Sequence, residues 1–175
     1  GAYNVALGHS ALLNNTTASN NTAVGYQAAY SNTTGARITA IGNGALYANT
    51  TGNDNTAVGW STLNANTTGI NNIAMGRDAL GANSSGGYNV ALGMSSLTSN
   101  TTASYNTGVG YAAMYSNTTG ANNTAIGSWN GSSLSAPLAS NTTGNYNIAL
   151  GNAALAKNTT ASQNVALGYQ ASYAS

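Results

Sequence analysis

The chain has 175 residues, of which Asn, Thr and Gly supply 28, 23 and 22, and it carries only five charges, no Cys and a net charge of +1. Three cations cannot neutralise a phosphate backbone, so nucleic-acid binding is excluded, and without cysteine neither a disulfide scaffold nor a thiolate metal site can form. Leu, Ile and Val total 25, too few for an ordinary core, yet the chain lacks the high net charge of a disordered one.

The order of residues resolves this. Val5-Ala6-Leu7 precedes Gly8, Thr22-Ala23-Val24 precedes Gly25, and Thr39-Ala40-Ile41 precedes Gly42. The same glycine returns at 17-residue steps at Gly59, Gly76, Gly93, Gly110 and Gly127. A seven-residue insertion within 128–140, holding the sole proline (Pro137), delays the next copy to Gly151, and Gly168 resumes the period. The residue before the glycine is always aliphatic or Met. Two before it stands Ala, except Gly108, and four before it stands Asn, except Ile38. An Asn-Thr-Thr-Gly-like tetrad, such as Asn49 to Gly52, closes each unit.

Seventeen residues are too few for a helix pair, and the Asn, Thr and Gly content with a turn cluster in every unit argues against one long helix. Alternation before the glycine has strand period, with the larger residues on one face and Ala on the other. The glycine permits a bend, a second short strand is expected over Gln27 to Tyr30 or Gly44 to Tyr47, and the tetrad turns the chain back. The expected fold is all-β: a parallel β-solenoid of ten 17-residue coils, stacked at about 4.8 Å into one domain spanning 1–175. Stacking puts Asn4, Asn21, Asn55 and Asn72 into an amide ladder. The Val/Ile/Leu row is expected inside, with Ala opposite because a thin interior admits nothing larger. Four modest apolar side chains per coil do not offset the ordering of seventeen residues, so ladders must contribute, and a homo-oligomer would bury a further face.

The core Ala23-Val24-Gly25-Tyr26-Gln27-Ala28, repeated as Ala40-Ile41-Gly42-Asn43-Gly44-Ala45, resembles the head repeats of YadA-like trimeric autotransporter adhesins. With its Asn-Thr-Thr-Gly turn, the unit is also similar to repeat arrays of phage tail-fibre-like and bacterial surface proteins. The resemblance covers the whole chain. It implies a left-handed β-roll, a trimer, and a rigid extracellular shaft or adhesive head on a cell or virion surface, facing a host glycan or protein receptor.

Catalysis is not expected. His9 stands where other coils have Tyr26, Asn43, Trp60, Arg77 and Met94, and Asp54 and Asp78 occupy variable positions more than a coil apart. No catalytic, cofactor or metal residue is assigned, and the glycines lack the context of a phosphate loop. Asn15, Asn32, Asn49, Asn66, Asn83, Asn100, Asn117, Asn141 and Asn158 each open Asn-x-Ser/Thr, the N-glycosylation pattern. They read either as acceptors, one per coil, or as turn residues whose side chains cap the backbone. Tyrosines fall in three registers: five before the glycine (Tyr3, Tyr88, Tyr105, Tyr146), one after (Tyr26, Tyr111, Tyr169) and five after (Tyr30, Tyr47, Tyr115, Tyr173). Such rows suit packing between coils or subunits, or carbohydrate stacking.

The chain starts and stops inside a unit with no capping repeat, so it is expected to be a segment of a longer array or of a filament. It contains no membrane-spanning run, so no membrane insertion is expected. Three readings stand: an extracellular fibre segment without enzymatic activity, a glycosylated self-assembling filament, and a carbohydrate- or ice-binding solenoid. The last is weakened for ice because the outer strand row mixes Thr22, Thr39 and Thr56 with Val5, Ile73 and Val90.

Overall fold

The computed structural model describes residues 1–129, 131 and 136–173. Ten three-residue strands form one parallel sheet in chain order. They are β1 (Val5–Leu7), β2 (Thr22–Val24), β3 (Thr39–Ile41), β4 (Thr56–Val58), β5 (Ile73–Met75), β6 (Val90–Leu92), β7 (Thr107–Val109), β8 (Thr124–Ile126), β9 (Ile148–Leu150) and β10 (Val165–Leu167). Register follows the repeat: Ala23 faces Ala40, Ala40 faces Ala57, and across the insertion Ala125 faces Ala149. The chain is a parallel β-solenoid, and among the described residues it contains no helix.

Each coil holds one strand, not the two expected. The stretch after the glycine remains bonded to neighbouring coils, as in Leu46 N–H to the Thr62 carbonyl at 3.0 Å, but it is a chain of turns. The reason is conformational. Residues two and four after the glycine are left-handed, as at Ser61 (φ 52°) and Leu63 (φ 50°), and so is the residue five before it, as at Asp54 (φ 58°). Alternating left-handed residues cannot continue a pleat. None of the non-glycine residues with positive φ is Val, Ile or Thr, because a β-branched side chain in this region is strained.

The row glycine is required twice over. Its φ lies between +115° and +144° in every coil, and a Cβ at Gly25 would sit 2.6 Å from the carbonyl oxygen of Gly42. The insertion falls between Trp129, which still donates to the Tyr111 carbonyl, and Pro137, which accepts from Met114. Residues 130 and 132–135 of the insertion lie outside those described. In other coils the N–H at the Pro137 position closes a turn onto the row glycine, as Ala45 does onto Gly42. The insertion opens that turn, so a residue without a donor fits there.

The core reverses one expectation. Its large side chain is the left-handed residue four after the glycine: Leu46, Leu63, Leu80, Leu97, Met114 and Leu138 are fully buried. It packs against the strand alanines Ala40, Ala57, Ala74 and Ala91 and the alanines three after the glycine. The Val/Ile/Leu row before the glycine points outward, with Ile41 39 %, Met75 46 % and Ile126 43 % exposed. With one outward row on either side of it, the central Ala is the only strand residue that reaches the interior. The exceptional Gly108 fits this packing. Ser96 replaces the usual Ala beside it and donates to its carbonyl at 3.0 Å, in space where a Cβ on Gly108 would lie 2.6 Å from that hydroxyl.

Truncating Leu63 to Ala should lower stability by about 2–5 kcal/mol through lost burial and a cavity. Leu63→Ile should be worse than Leu63→Met despite similar volume, because only isoleucine is β-branched at a left-handed position. Urea unfolding midpoints of the three variants check this order.

Candidate functional site

The nine asparagines of the Asn-x-Ser/Thr pattern lie in the wall of the rod. From Asn32 to Asn158 they are buried, and only Asn15, in the first coil, is partly open. From Asn32 onward each amide nitrogen donates twice, while Asn15 donates to the Ala18 carbonyl alone. Asn66 Nδ2 reaches Asn49 Oδ1 at 2.9 Å and the Gly69 carbonyl at 3.1 Å, while its own Oδ1 accepts from Asn83 Nδ2 at 2.8 Å. The ladder runs unbroken from Asn15 to Asn158, crossing the insertion between Asn117 and Asn141 at 2.8 Å. The atom that would carry a sugar is thus enclosed and fully bonded in the folded coil. The geometry is that of turn residues capping backbone groups.

The second asparagine row, four before the glycine, forms the expected amide ladder in a different way. Asn72 Oδ1 accepts the backbone N–H of Asn89 at 3.0 Å, and Asn72 Nδ2 donates to the Gly86 carbonyl at 2.9 Å. Asn83 Nδ2 donates to that same carbonyl at 2.9 Å. The last residue of each tetrad is therefore clamped by two amides, one from each row. Ile38 interrupts the second row, so Asn49 alone holds the Gly52 carbonyl. The first threonine of the tetrad adds a hydroxyl bond to the next coil, as from Thr50 to the Thr67 carbonyl at 3.0 Å. These polar side chains are internal cement, and the outward rows form the surface.

Three kinds of outward surface remain. The sheet presents the rows flanking the central Ala, apolar for most of its length: Val5, Leu7, Ile73, Met75, Ile148, Val165 and Leu167 are exposed. Aromatic residues stack where adjacent coils both carry one. Tyr30–Tyr47 and Tyr88–Tyr105 lie nearly parallel at 5.2 and 5.0 Å, and His9 stacks on Tyr26 at 5.5 Å. The structure thus pairs tyrosines within the registers five before and five after the glycine, whereas in the register one after it Tyr26 meets His9 and Tyr111 meets Trp129; Tyr146 and Tyr169 are exposed and separate from those pairs. Charge forms two pairs. Arg37 bridges one coil to the next, with Nε and Nη2 donating to Asp54 at 2.6 and 2.8 Å, whereas Arg77 and Asp78 are neighbours in one coil at 3.3 Å. Asp54 and Asp78 each face an arginine and not one another.

Among the described residues no three His, Cys, Asp or Glu side chains group together, and no helix is long and apolar enough to cross a membrane. A shallow notch of about 490 Å³ opens beside Arg77 and Asp78, bounded by Asn64, Thr98 and Tyr115. Sequence reading missed it; the signal was Gly81 in a row otherwise filled by larger side chains in the coils around it. Searches against protein-family profiles, curated proteins and solved structures return no match to the chain.

Asn66→Asp should destabilise the rod by more than Asn66→Ala, since it places an anion against the Asn49 and Gly69 oxygens. Burial raises that carboxyl's pKa in the folded state, so the unfolded chain binds fewer protons and stability falls as pH rises through the carboxylate range. Melting temperatures at pH 3 and pH 7 should therefore diverge for Asn66→Asp and not for Asn66→Ala. In the native chain, the hydrogen bond from Arg37 holds the Asp54 carboxyl below its ordinary value against an opposing desolvation, and the positive charge of Arg37 adds a lesser push in the same direction as the hydrogen bond. Replacing Arg37 with Gln should return Asp54 toward that ordinary value in a carboxyl-detected NMR titration.

Proposed function

We propose that this chain is a rigid structural segment of an extracellular fibre, a shaft or adhesive head assembled as a homo-oligomer, with a trimer favoured. The observation that carries the reading is the outward sheet face. Ten coils in one register align two rows of side chains, largely apolar, along the rod, and the single chain leaves them in water. An apolar stripe of that length on so thin a core favours lateral burial against identical copies. The extracellular setting and the trimer follow the resemblance to YadA-like heads and tail-fibre-like arrays. The role is mechanical and adhesive, without turnover: a length of ladder-bonded backbone displaying the same surface at each coil.

Less supports the glycan-coated filament, since eight of its nine acceptor asparagines are buried in the ladder. No observation raises the ice-binding alternative, since the strand row that would order water still alternates Thr with Ile and Val.

Sedimentation at micromolar concentration should give a mass three times the 17.3 kDa of one chain. Ile41→Lys with Val58→Lys, on the outward face, should dissociate it to a monomer with an unchanged far-ultraviolet spectrum. A wild-type chain that sediments as a clean monomer refutes the assembly.

A further inference from the structure

The row five residues after each glycine runs Tyr30, Tyr47, Asn64, Gly81, Thr98, Tyr115 along the rod. Gly81 is the one member without a side chain. Its backbone does not call for glycine: its φ is outside the left-handed region, and an added Cβ would meet nothing closer than the Asp78 carbonyl oxygen at 3.2 Å. The turn is the same one that holds tyrosine elsewhere. Gly81 N–H donates to Asp78 at 3.1 Å, as Tyr47 does to Gly44 at 3.3 Å and Tyr115 to Ala112 at 3.1 Å. Omitting one side chain between two neighbouring coils opens about 10 Å along the axis, twice the strand spacing. This gap is the notch.

What lines it is chemically distinct from the rest of the surface. Two of the chain's five charges are here, and they tie no coils together. Arg37 and Asp54 bridge neighbouring coils, but Arg77 and Asp78 are adjacent in sequence, 57 % and 32 % exposed, and worth little to stability as a pair. Asn64 donates its amide N–H to the Gly44 carbonyl at 3.0 Å and keeps its Oδ1 as an acceptor. Thr98 donates to the Asp78 carbonyl at 2.9 Å, which fixes the wall. Tyr115 also lines the notch and is 47 % exposed.

We propose that this notch binds one neutral pyranose unit of a glycan. A carboxylate accepts from two adjacent hydroxyls, a guanidinium donates to a ring or hydroxyl oxygen, and a tyrosine face packs on the C–H side of a sugar. The paired charges cancel, so the site does not favour an anionic ligand. One gap in the row admits one ring, which makes the site a subsite and not an extended groove. The inference gives a ligand class to the adhesive role proposed above and rests on that reading for its biological setting only.

The test titrates the ¹⁵N-labelled full chain with methyl glycosides of glucose, galactose, mannose and N-acetylglucosamine, with N-acetylneuraminic acid as the charged comparison. At least one neutral glycoside should give saturable shifts at the Asp78, Gly81 and Thr98 amides, with a dissociation constant on the order of millimolar. Gly81→Tyr, which continues the aromatic row, should weaken binding at least tenfold, as should Asp78→Asn, an exchange the left-handed backbone at Asp78 (φ 58°) favours. No saturable shift with any neutral glycoside, equal binding by Gly81→Tyr, or binding of the acidic sugar alone would each overturn the proposal. Sedimentation of the same samples keeps the two readings apart: a monomer that binds the glycoside loses the shaft and keeps the notch, and a trimer that binds none does the opposite.

Discussion

The structure depends on a buried amide being donor and acceptor at once, at a spacing of one coil. An asparagine inside a thin wall leaves two N–H groups and a carbonyl to satisfy, and each unsatisfied group costs on the order of 1–3 kcal/mol. In-register stacking removes that cost without water: one N–H goes to the coil before, one to a backbone carbonyl three residues on, and the oxygen accepts from the coil after. A slip of one residue anywhere would place Thr or Ala against Asn and orphan the row. The polar ladder therefore specifies register in a molecule whose apolar core is too small to do so.

From that constraint the odd distribution of apolar residues follows. The interior takes one Leu or Met in most coils (Ala29 in the second) and about two further Ala per coil, and the left-handed backbone at the Leu position excludes the β-branched residues that usually fill β structures. Apart from Ile38, which is buried in the core, and Ile70, the Val and Ile residues sit at strand positions, where they suit the pleat, but both of their rows face out. A single chain built this way buries its alanines and the Leu row but leaves most of its strand Val and Ile at the surface, inverting the usual placement of β-branched residues. The fibre reading takes its force from that inversion.

The rows also divide the surface into what the fold constrains and what it leaves free. The row glycine, the strand Ala and the tetrad Asn hold nearly one identity along the rod. The position one after the glycine passes through His9, Tyr26, Trp60, Arg77 and Met94 without disturbing a coil. A regular lattice with free sites can be addressed one coil at a time. Stacked tyrosines, an inter-coil Arg37–Asp54 bridge and the Gly81 gap are three local uses of that freedom on the same scaffold.

The amino-acid sequence alone determined the coil. The 17-residue return of the glycine, the Ala row and the two Asn rows specified a parallel solenoid, its register and its single insertion, because stacking turns periodicity into alignment directly. The exceptions, Ile38 in the Asn row and Pro137 in the insertion, were visible there as breaks in the pattern, and the structure made them a missing rung and a missing donor. Which side of the backbone each row occupies was decided by the tertiary structure. The alternation Thr-Ala-Val is symmetric under a flip, so strand pattern alone put Val24 and Ile41 inside. The left-handed residues after the glycine, which one sequence without φ angles does not display, swing Leu46 and Leu63 into the core and turn the aliphatic strand rows outward. The same geometry chose between the two readings of the Asn-x-Thr asparagines and enclosed them in the wall, since a turn residue is exposed or enclosed according to where its neighbours' carbonyls lie.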